Sequence, residues 1–511
     1  MIDGAPSDYT LMLVDGNRVK GSYILTEIPI NNIERIEIVK GANSLLYGSD
    51  AMSGVINIIT KRAPDKLTFN LKGTYSTNED SSNTEEASIG FKLGKLRQLY
   101  TYGRKDVEGG QYKSDSFADK FGIDLNDSAE LKLNFKANQY DKESTNMDRY
   151  DYLAELDWDV DKSSKLKIKF FYRDYASVSH VGGATEGTEE DSTYDEEEIT
   201  YTRFFGKSHL LTGGYQRMGD GFDYAGPDET WSRSYDTNSL FLQDEITLTK
   251  TFIFVPALRM DFHSQWDDEL NPKLSILWKV SKTTSLRASW GTAFKAPTMQ
   301  EMFRTTFHGH GSWGFWIMGN PDLQPENSET YRISAETRLG KDFRGSLSLF
   351  RSNYEDMIKG GYTGYVFPDG FREYSYSNVA KAMTRGVETN MKYYFTNKLL
   401  ASLGYTYLDT EDKETGEDLS DTARHRITPG ISYVNDNIGL TAEIRGEYEK
   451  YSEPDDETND DDNFMLHAGL SKTIMKKIKL WINADNLLDK EQDSGISCEG
   501  RRFTFGIQYT Y

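Results

Sequence analysis

Residues 307 to 323, FHGHGSWGFWIMGNPDL, bring together two histidines, two tryptophans, two phenylalanines and four glycines. Neutral imidazole is a good iron ligand, so His308 and His310 are candidate metal contacts. Residues two apart cannot readily supply both axial positions of one haem, which weakens that reading. Trp313, Phe315 and Trp316 offer flat apolar contact area, and Arg304 just before them offers a charge for an anionic ligand. Two acidic runs also carry chemistry: EGTEEDSTYDEEE (186 to 198) holds eight acids and SEPDDETNDDDN (452 to 463) holds seven, with no base in either. Hard cations favour several carboxylate oxygens, so Asp191, Asp195, Asp455, Asp456, Asp460 and Asp461 are candidate calcium contacts. Solvated loops are the plainer expectation for such runs. No GxSxG or HExxH motif occurs, the remaining histidines stand singly, and Cys498 is the one cysteine, so no catalytic constellation emerges.

The meaning of these residues depends on the elements that hold them. The chain has 511 residues, with 59 Lys plus Arg against 81 Asp plus Glu, and its net charge of -22 argues against nucleic acid as a partner. No apolar run approaches the roughly 18 to 20 residues that a spanning helix needs. Nor does the chain open with a basic start and apolar middle of the signal-peptide kind, so the expectation is either a soluble cytoplasmic protein or one whose beginning is missing. Aromatic residues reach 13%, with 32 tyrosines and 26 phenylalanines, a mixture that favours strands and turns.

Period-two alternation is the dominant pattern. In LKLNFKANQY (131 to 140), Leu131, Leu133, Phe135 and Ala137 share one face while Lys132, Asn134 and Lys136 share the other. The pattern recurs in KLKIKFFYRDY, GLTAEIRGEYEKY, KIKLWINADNLLD and RRFTFGIQYTY. From about residue 67 there are roughly 22 such segments, joined alternately by tight links and by long polar ones near 78, 108, 141, 177, 219, 265, 295, 357, 411, 452 and 490. In an antiparallel sheet every second turn lies at the same end, so one rim is trimmed and the other decorated. The sequence therefore predicts an all-β fold, a roughly 22-stranded antiparallel transmembrane β-barrel with polar side chains inward, closed so that no strand edge meets lipid. A soluble propeller would carry a repeat at about 40 to 50 residues, which is not seen. Residues 1–64 lack long alternation and read as a small α+β unit ahead of a barrel at 65–511, with APDK at 63 to 66 as the boundary.

IERIEIVKGANSLLYGSDAMSGVINIITK (33 to 61), TLMLVDGNRV (10 to 19), FKAP (294 to 297), GNPDLQPENS (319 to 328), TRGVE (384 to 388) and NADNLLDK (483 to 490) follow one another along the chain. In these stretches and their order the sequence resembles the TonB-dependent outer-membrane receptors over essentially its whole length. The resemblance implies a plug inside the barrel lumen, an outer-membrane location beside lipid and lipopolysaccharide, and uptake energised by TonB with ExbB and ExbD. Members carry a signal peptide, a TonB box and further plug elements ahead of the LeuValAspGly-like run. The chain is accordingly expected to be an N-terminally truncated member with the C-terminal part of the plug.

Members also commonly have IleArgGly where this chain has Ile2, Asp3 and Gly4, and an acid where it has Arg332. Both signs reverse together, so an Asp3–Arg332 pair is expected beside Lys40–Glu388 in the family's plug-to-barrel ion cluster. The loop between FKAP and NPDL falls on the extracellular rim, and Tyr9 and Tyr23 join its residues as candidate ligand contacts on the plug. The expected ligand is a small metal chelate, a ferric siderophore first, with a corrinoid or haem as alternatives, so the cargo would contain iron or cobalt. Calcium held by the acidic loops, or bridging lipopolysaccharide phosphates, is a further expectation. A binding-only adhesin or colicin-docking protein is the alternative from another class, and an outer-membrane phospholipase or protease the enzymatic one.

Overall fold

The computed structural model describes the chain except for residues 1, 20–27, 78–80, 108–111, 143, 181–186, 227–228, 311–312, 420–421, 452–461 and 491–499. Tyr23, Asp455, Asp456, Asp460 and Asp461 lie outside the described residues. Alternating segments form strands that pair with their sequence neighbours from Thr68–Thr77 onward. The last strand, Arg502–Thr510, returns to the first, with Phe503 opposite Thr77 and Thr510 opposite Asn70. Closure satisfies backbone groups that lipid could not. Thr284–Lys295 pairs directly with Glu326–Leu339, so the hairpin Thr305–His310 and Trp313–Met318 is an insertion and the wall has 22 strands among the described residues. Leu240, Leu242, Ile333, Leu347, Leu349, Ile431 and Ile444 are exposed on the outside, while Lys72–Glu86 and Arg259–Asp261 ion pairs lie within. Among the described residues no helix is long and apolar enough to cross a membrane.

Inside the barrel, four short strands form one sheet: β1 (Thr10–Val14), β2 (Asn17–Arg18), β3 (Ile33–Lys40) and β4 (Gly54–Thr60), in the order β2-β1-β4-β3. The β1–β2 turn is Asp15-Gly16 with φ of 54° and 79°, the two positive values that a two-residue hairpin turn requires. β4 runs parallel to β1 and antiparallel to β3. Its continuous GVINIIT run is what a strand covered on both faces needs.

Where the sequence reading differs from the structure, water is the reason. Links expected near 141, 177, 219 and 357 fall within or at the ends of strands such as His209–Ala225 and Phe343–Val366. The 24 residues of the latter far exceed the roughly 9 to 11 that cross a bilayer. Above the membrane both faces of a strand meet water or polar neighbours, so the ladder continues while the apolar alternation that reveals it stops. The first acidic run is likewise a strand, Gly187–Phe205, and not the expected loop.

Candidate functional site

Two parts of the molecule could act on a ligand: the seat of the plug against the barrel, and the inner wall above it. In the seat, the Arg332 guanidinium donates to Asp3 and its Nη1 lies 3.5 Å from Glu388, which also accepts from Lys40. Asp3, Lys40, Arg332 and Glu388 are thus brought into one cluster. Burial pushes the Asp3 carboxyl above the usual carboxylate range, against the opposing pull of Arg332.

Further contacts repeat the pattern. At the β1–β2 turn, Asp15 accepts from Lys120 at 3.0 Å, Lys136 at 3.2 Å, the Thr60 amide at 2.7 Å and the Thr60 hydroxyl. Burial alone would raise its carboxyl, but the two lysines and Thr60 outweigh that and hold it well below the usual range. Arg18 is cradled by the Tyr47 carbonyl, the Ser49 carbonyl at 2.8 Å and Asp50 at 2.8 Å. Gly48 in that cradle has φ +73°, and a Cβ there would stand 3.0 Å from the Arg259 guanidinium of the barrel wall. Here the glycine of YGSD is required by both backbone and space. The Tyr9 hydroxyl donates to Glu326, whose other oxygen takes Lys295 at 2.7 Å, so the FKAP lysine and the NPDLQPE glutamate meet on the plug.

Tyr9 is 2% exposed and packs on Tyr354 with ring centroids 5.3 Å apart. This corrects its placement among ligand contacts, because the side chain is spent in the seat. Between plug residues 28–33 and the strands where the barrel closes, the lumen keeps a cavity of about 810 Å³.

The inner wall gathers residues that the sequence reading missed. Inward positions of His209–Ala225 and Thr230–Thr249 stack Trp231 on Phe222 and Tyr224, with centroids 5.3 and 5.5 Å apart, and Phe303 of the short helix Met299–Phe303 lies 6.2 Å from Trp231. Arg233 sits over the Phe303 ring at 5.0 Å and Arg304 over Tyr224 at 4.8 Å. The helix begins with a capping box, Thr298 with Glu301, and anchors itself through buried Met302 against Trp266 and Leu323. Arg304 also lies 3.6 Å from Glu190, whereas Arg233 is exposed to the lumen. Cations held over aromatic faces suit a flat anionic ligand. The only sequence signal was Trp231, Arg233 and Tyr235 at alternate positions, a period that marks a shared face but not which face.

The segment carrying His308 is a hairpin and not the open loop that was expected. Its second strand pairs in parallel with residues 372–375 of the long strand Arg372–Tyr394. Phe315 packs on Tyr374 at 5.0 Å and on His308 at 5.4 Å, and Trp316 packs on Phe307 at 5.0 Å. The backbones of His310 and Trp313 pair in register at the hairpin end. In the acidic strand, Asp195 pairs with Arg217 at 2.5 Å and Asp191 stands opposite Asp223. Among the described residues no group of three or more His, Cys, Asp or Glu could hold a metal ion.

A closed 22-stranded barrel with an aromatic, cationic inner wall and a plug seated by ion pairs defines a plugged outer-membrane receptor, a class that is not enzymatic. Residues 62–487 match the family model of the TonB dependent receptor-like beta-barrel and residues 1–55 that of the TonB-dependent receptor plug domain. The chain belongs to the TonB-dependent receptor family and resides in the outer membrane.

Its relatives include an iron-regulated outer membrane virulence protein of Vibrio cholerae, 24% identical across 100% of this chain and 86% of the relative. Another is a ferric enterobactin receptor of Pseudomonas aeruginosa, 24% identical across 96% of this chain and 82% of the relative. Among solved structures, the siderophore receptor PirA from Pseudomonas aeruginosa superposes with a TM-score of 0.87 at 18% identity, covering 100% of this chain and 93% of that one.

Proposed function

We propose that this receptor imports a ferric siderophore, an anionic chelate with flat aromatic surface, across the outer membrane. The observation that carries the reading is the inner wall, where Arg233 and Arg304 lie over Phe303 and Tyr224 beside stacked Trp231. Negative charge on the chelate meets guanidinium groups that lie over π faces, Arg233 exposed to the lumen and Arg304 shared with Glu190, and its rings meet indole and phenol. The names of the relatives, a ferric enterobactin receptor and a siderophore receptor, point the same way.

Uptake in this reading has two stages. The ligand first binds above the plug, under the hairpin Thr305–His310 and Trp313–Met318. TonB, energised with ExbB and ExbD, then works on the plug, whose seat combines separable ion pairs with an apolar cluster of Ala5, Tyr9, Ala42 and Met52 against Ala293, Tyr354 and Ala382 of the wall. Lipopolysaccharide surrounds the outer rim.

Binding to purified full-length receptor tests this, with quenching of Trp231-dependent fluorescence as the readout. A ferric aromatic chelate is expected to quench, and Arg233→Ala or Arg304→Ala each to weaken affinity by about tenfold, the effect of about 1.4 kcal/mol. Haem binding with a Soret band that changes in His308→Ala would overturn the siderophore reading in favour of haem, and cobalamin binding unaffected by either arginine would favour a corrinoid.

A further inference from the structure

The rim of tight turns carries a repeat that serves neither the plug nor the ligand wall. Among the described residues, ten tight turns join wall strands, and six of them place an apolar residue and a lysine two positions apart. The pairs are Leu93 with Lys95, Val160 with Lys162, Phe205 with Lys207, Leu248 with Lys250, Val280 with Lys282, and Leu339 with Lys341. The apolar members are 41 to 67% exposed, and each lysine is exposed as well.

Turn geometry does not demand these lysines. In three of the turns a glycine between the two residues, Gly94, Gly206 or Gly340, takes the positive φ of 59° to 63° that the bend requires. Residues two apart on a strand share a face, and here it is the lipid face. Exposed Leu240 and Leu242 lead along it to Leu248, and exposed Trp158 and Trp278 stand two positions before Val160 and Val280. Each lysine thus follows the last outward side chain of its strand. Aromatic ring, aliphatic group and ammonium come in the order in which a bilayer passes from interface-lining hydrocarbon to headgroup.

Their charge is also unspent. On the lumen side of the same rim, Lys165 lies 3.4 Å from Asp157 and Arg287 lies 2.6 Å from Glu336. Among the described residues Lys162, Lys207, Lys250, Lys282 and Lys341 form no ion pair, and Asp161 beside Lys162 is taken up by Ser163 and Ser164. Lys95 donates to the Leu125 carbonyl at 3.0 Å. Asp127 and Asp436 stand in two turns that lack the repeat. Exposed lysines in register around one rim run against the composition of a chain whose net charge is -22. At the opposite end of the wall the trend is the reverse, with Glu189, Glu190 and Asp191 near the start of Gly187–Phe205. Tight turns of such barrels face the periplasm, so the lysines lie level with the phosphates of that leaflet.

We propose that the turn lysines bind anionic phospholipid headgroups of the periplasmic leaflet, which sets the depth of the barrel and selects the lipid around it. The anionic cell wall is the other polyanion on this side. It lies below the turns, whereas the repeat aligns each lysine with residues that face lipid, and so the lipid is favoured.

Trp158 and Trp278 report on this rim. Full-length receptor is reconstituted in phosphatidylcholine vesicles that contain, as a minor component, either brominated phosphatidylglycerol or brominated phosphatidylcholine, and tryptophan quenching is compared. Phosphatidylglycerol is expected to be enriched about threefold around the barrel, an excess in keeping with several lysines at an anionic surface. It should vanish in about 1 M salt, where the Debye length is about 3 Å. A variant combining Lys162→Gln, Lys207→Gln, Lys250→Gln, Lys282→Gln and Lys341→Gln should lose the excess while still giving a heat-modifiable barrel, and Lys→Arg at the same positions should keep it. Equal quenching of the unaltered receptor by the two brominated lipids overturns the inference without any variant. So does an excess that survives the glutamine substitutions, and if that variant instead stops sedimenting with isolated cell wall, the rim serves the wall and not the lipid.

Discussion

At the scale of single residues, the plug is held by charges whose partners lie hundreds of positions away. Asp3 and Arg332 form one such pair, so Asp3→Arg places a cation against Arg332 and Lys40. Breaking a buried pair costs about 3 kcal/mol or more. The single variant should loosen the plug in a denaturant titration by about that amount, and Asp3→Arg with Arg332→Glu should recover most of it. Asp15 makes a pH prediction. Its folded carboxyl is depressed below its unfolded value of about 3.9, so its contribution is fully present above that pH and lost as pH falls through the lower folded value. Asp3, raised by burial, works in the opposite sense: its ionisation opposes folding as pH rises through its unfolded value and on through its raised folded one. An acid titration of β1 exchange should therefore show protection in the native protein that persists below about pH 4 and is missing in Asp15→Asn. The reversal of sign at positions 3 and 332 was readable as a pair of departures from a motif. Asp15 with Lys120 and Lys136 was not, because nothing in a strand's period says which barrel residue a plug turn will meet.

At the scale of elements, short connections carry precise demands and inserted ones carry few. Gly48 has a positive φ and a Cβ would press on the Arg259 guanidinium, so Gly48→Ala should cost about 1 to 2 kcal/mol from backbone conformation alone. Calorimetry or plug exchange would register it. The hairpin Thr305–His310 and Trp313–Met318 is the contrasting case. Since Thr284–Lys295 pairs with Glu326–Leu339 without it, replacing residues 305–318 by a short Gly-Ser link should leave an assembled barrel, seen as a heat-modifiable band on gels. Ligand affinity, and not assembly, is the property expected to fall. Its histidines and aromatics were conspicuous in the sequence as isolated chemistry. Their pairing with residues 372–375 was hidden because that contact joins segments about 60 residues apart and is made by backbone groups common to every residue.

At the scale of the whole molecule, closure and the plug set the behaviour. Arg502–Thr510 supplies the ladder that Thr68–Thr77 needs, and deleting it leaves two unpaired edges in lipid. Such a variant should fail to reach the heat-modifiable state at all, in contrast to the hairpin deletion. Energised uptake separates from binding: in whole cells a protonophore should abolish accumulation of the iron chelate while leaving surface binding intact. Equal loss of both would count against a transporter and for a surface protein that only binds.

The sequence by itself determined the barrel, its strand number and the family, because a strand crossing a membrane between lipid and a polar lumen must alternate at every second residue, and that period is local. Tertiary structure decided what the inward side chains do. Trp231, Arg233, Phe303 and Arg304 converge, and Lys136 meets Asp15, only because the sheet curls through 22 strands and a plug fills it. Distance across a lumen has no period along a chain.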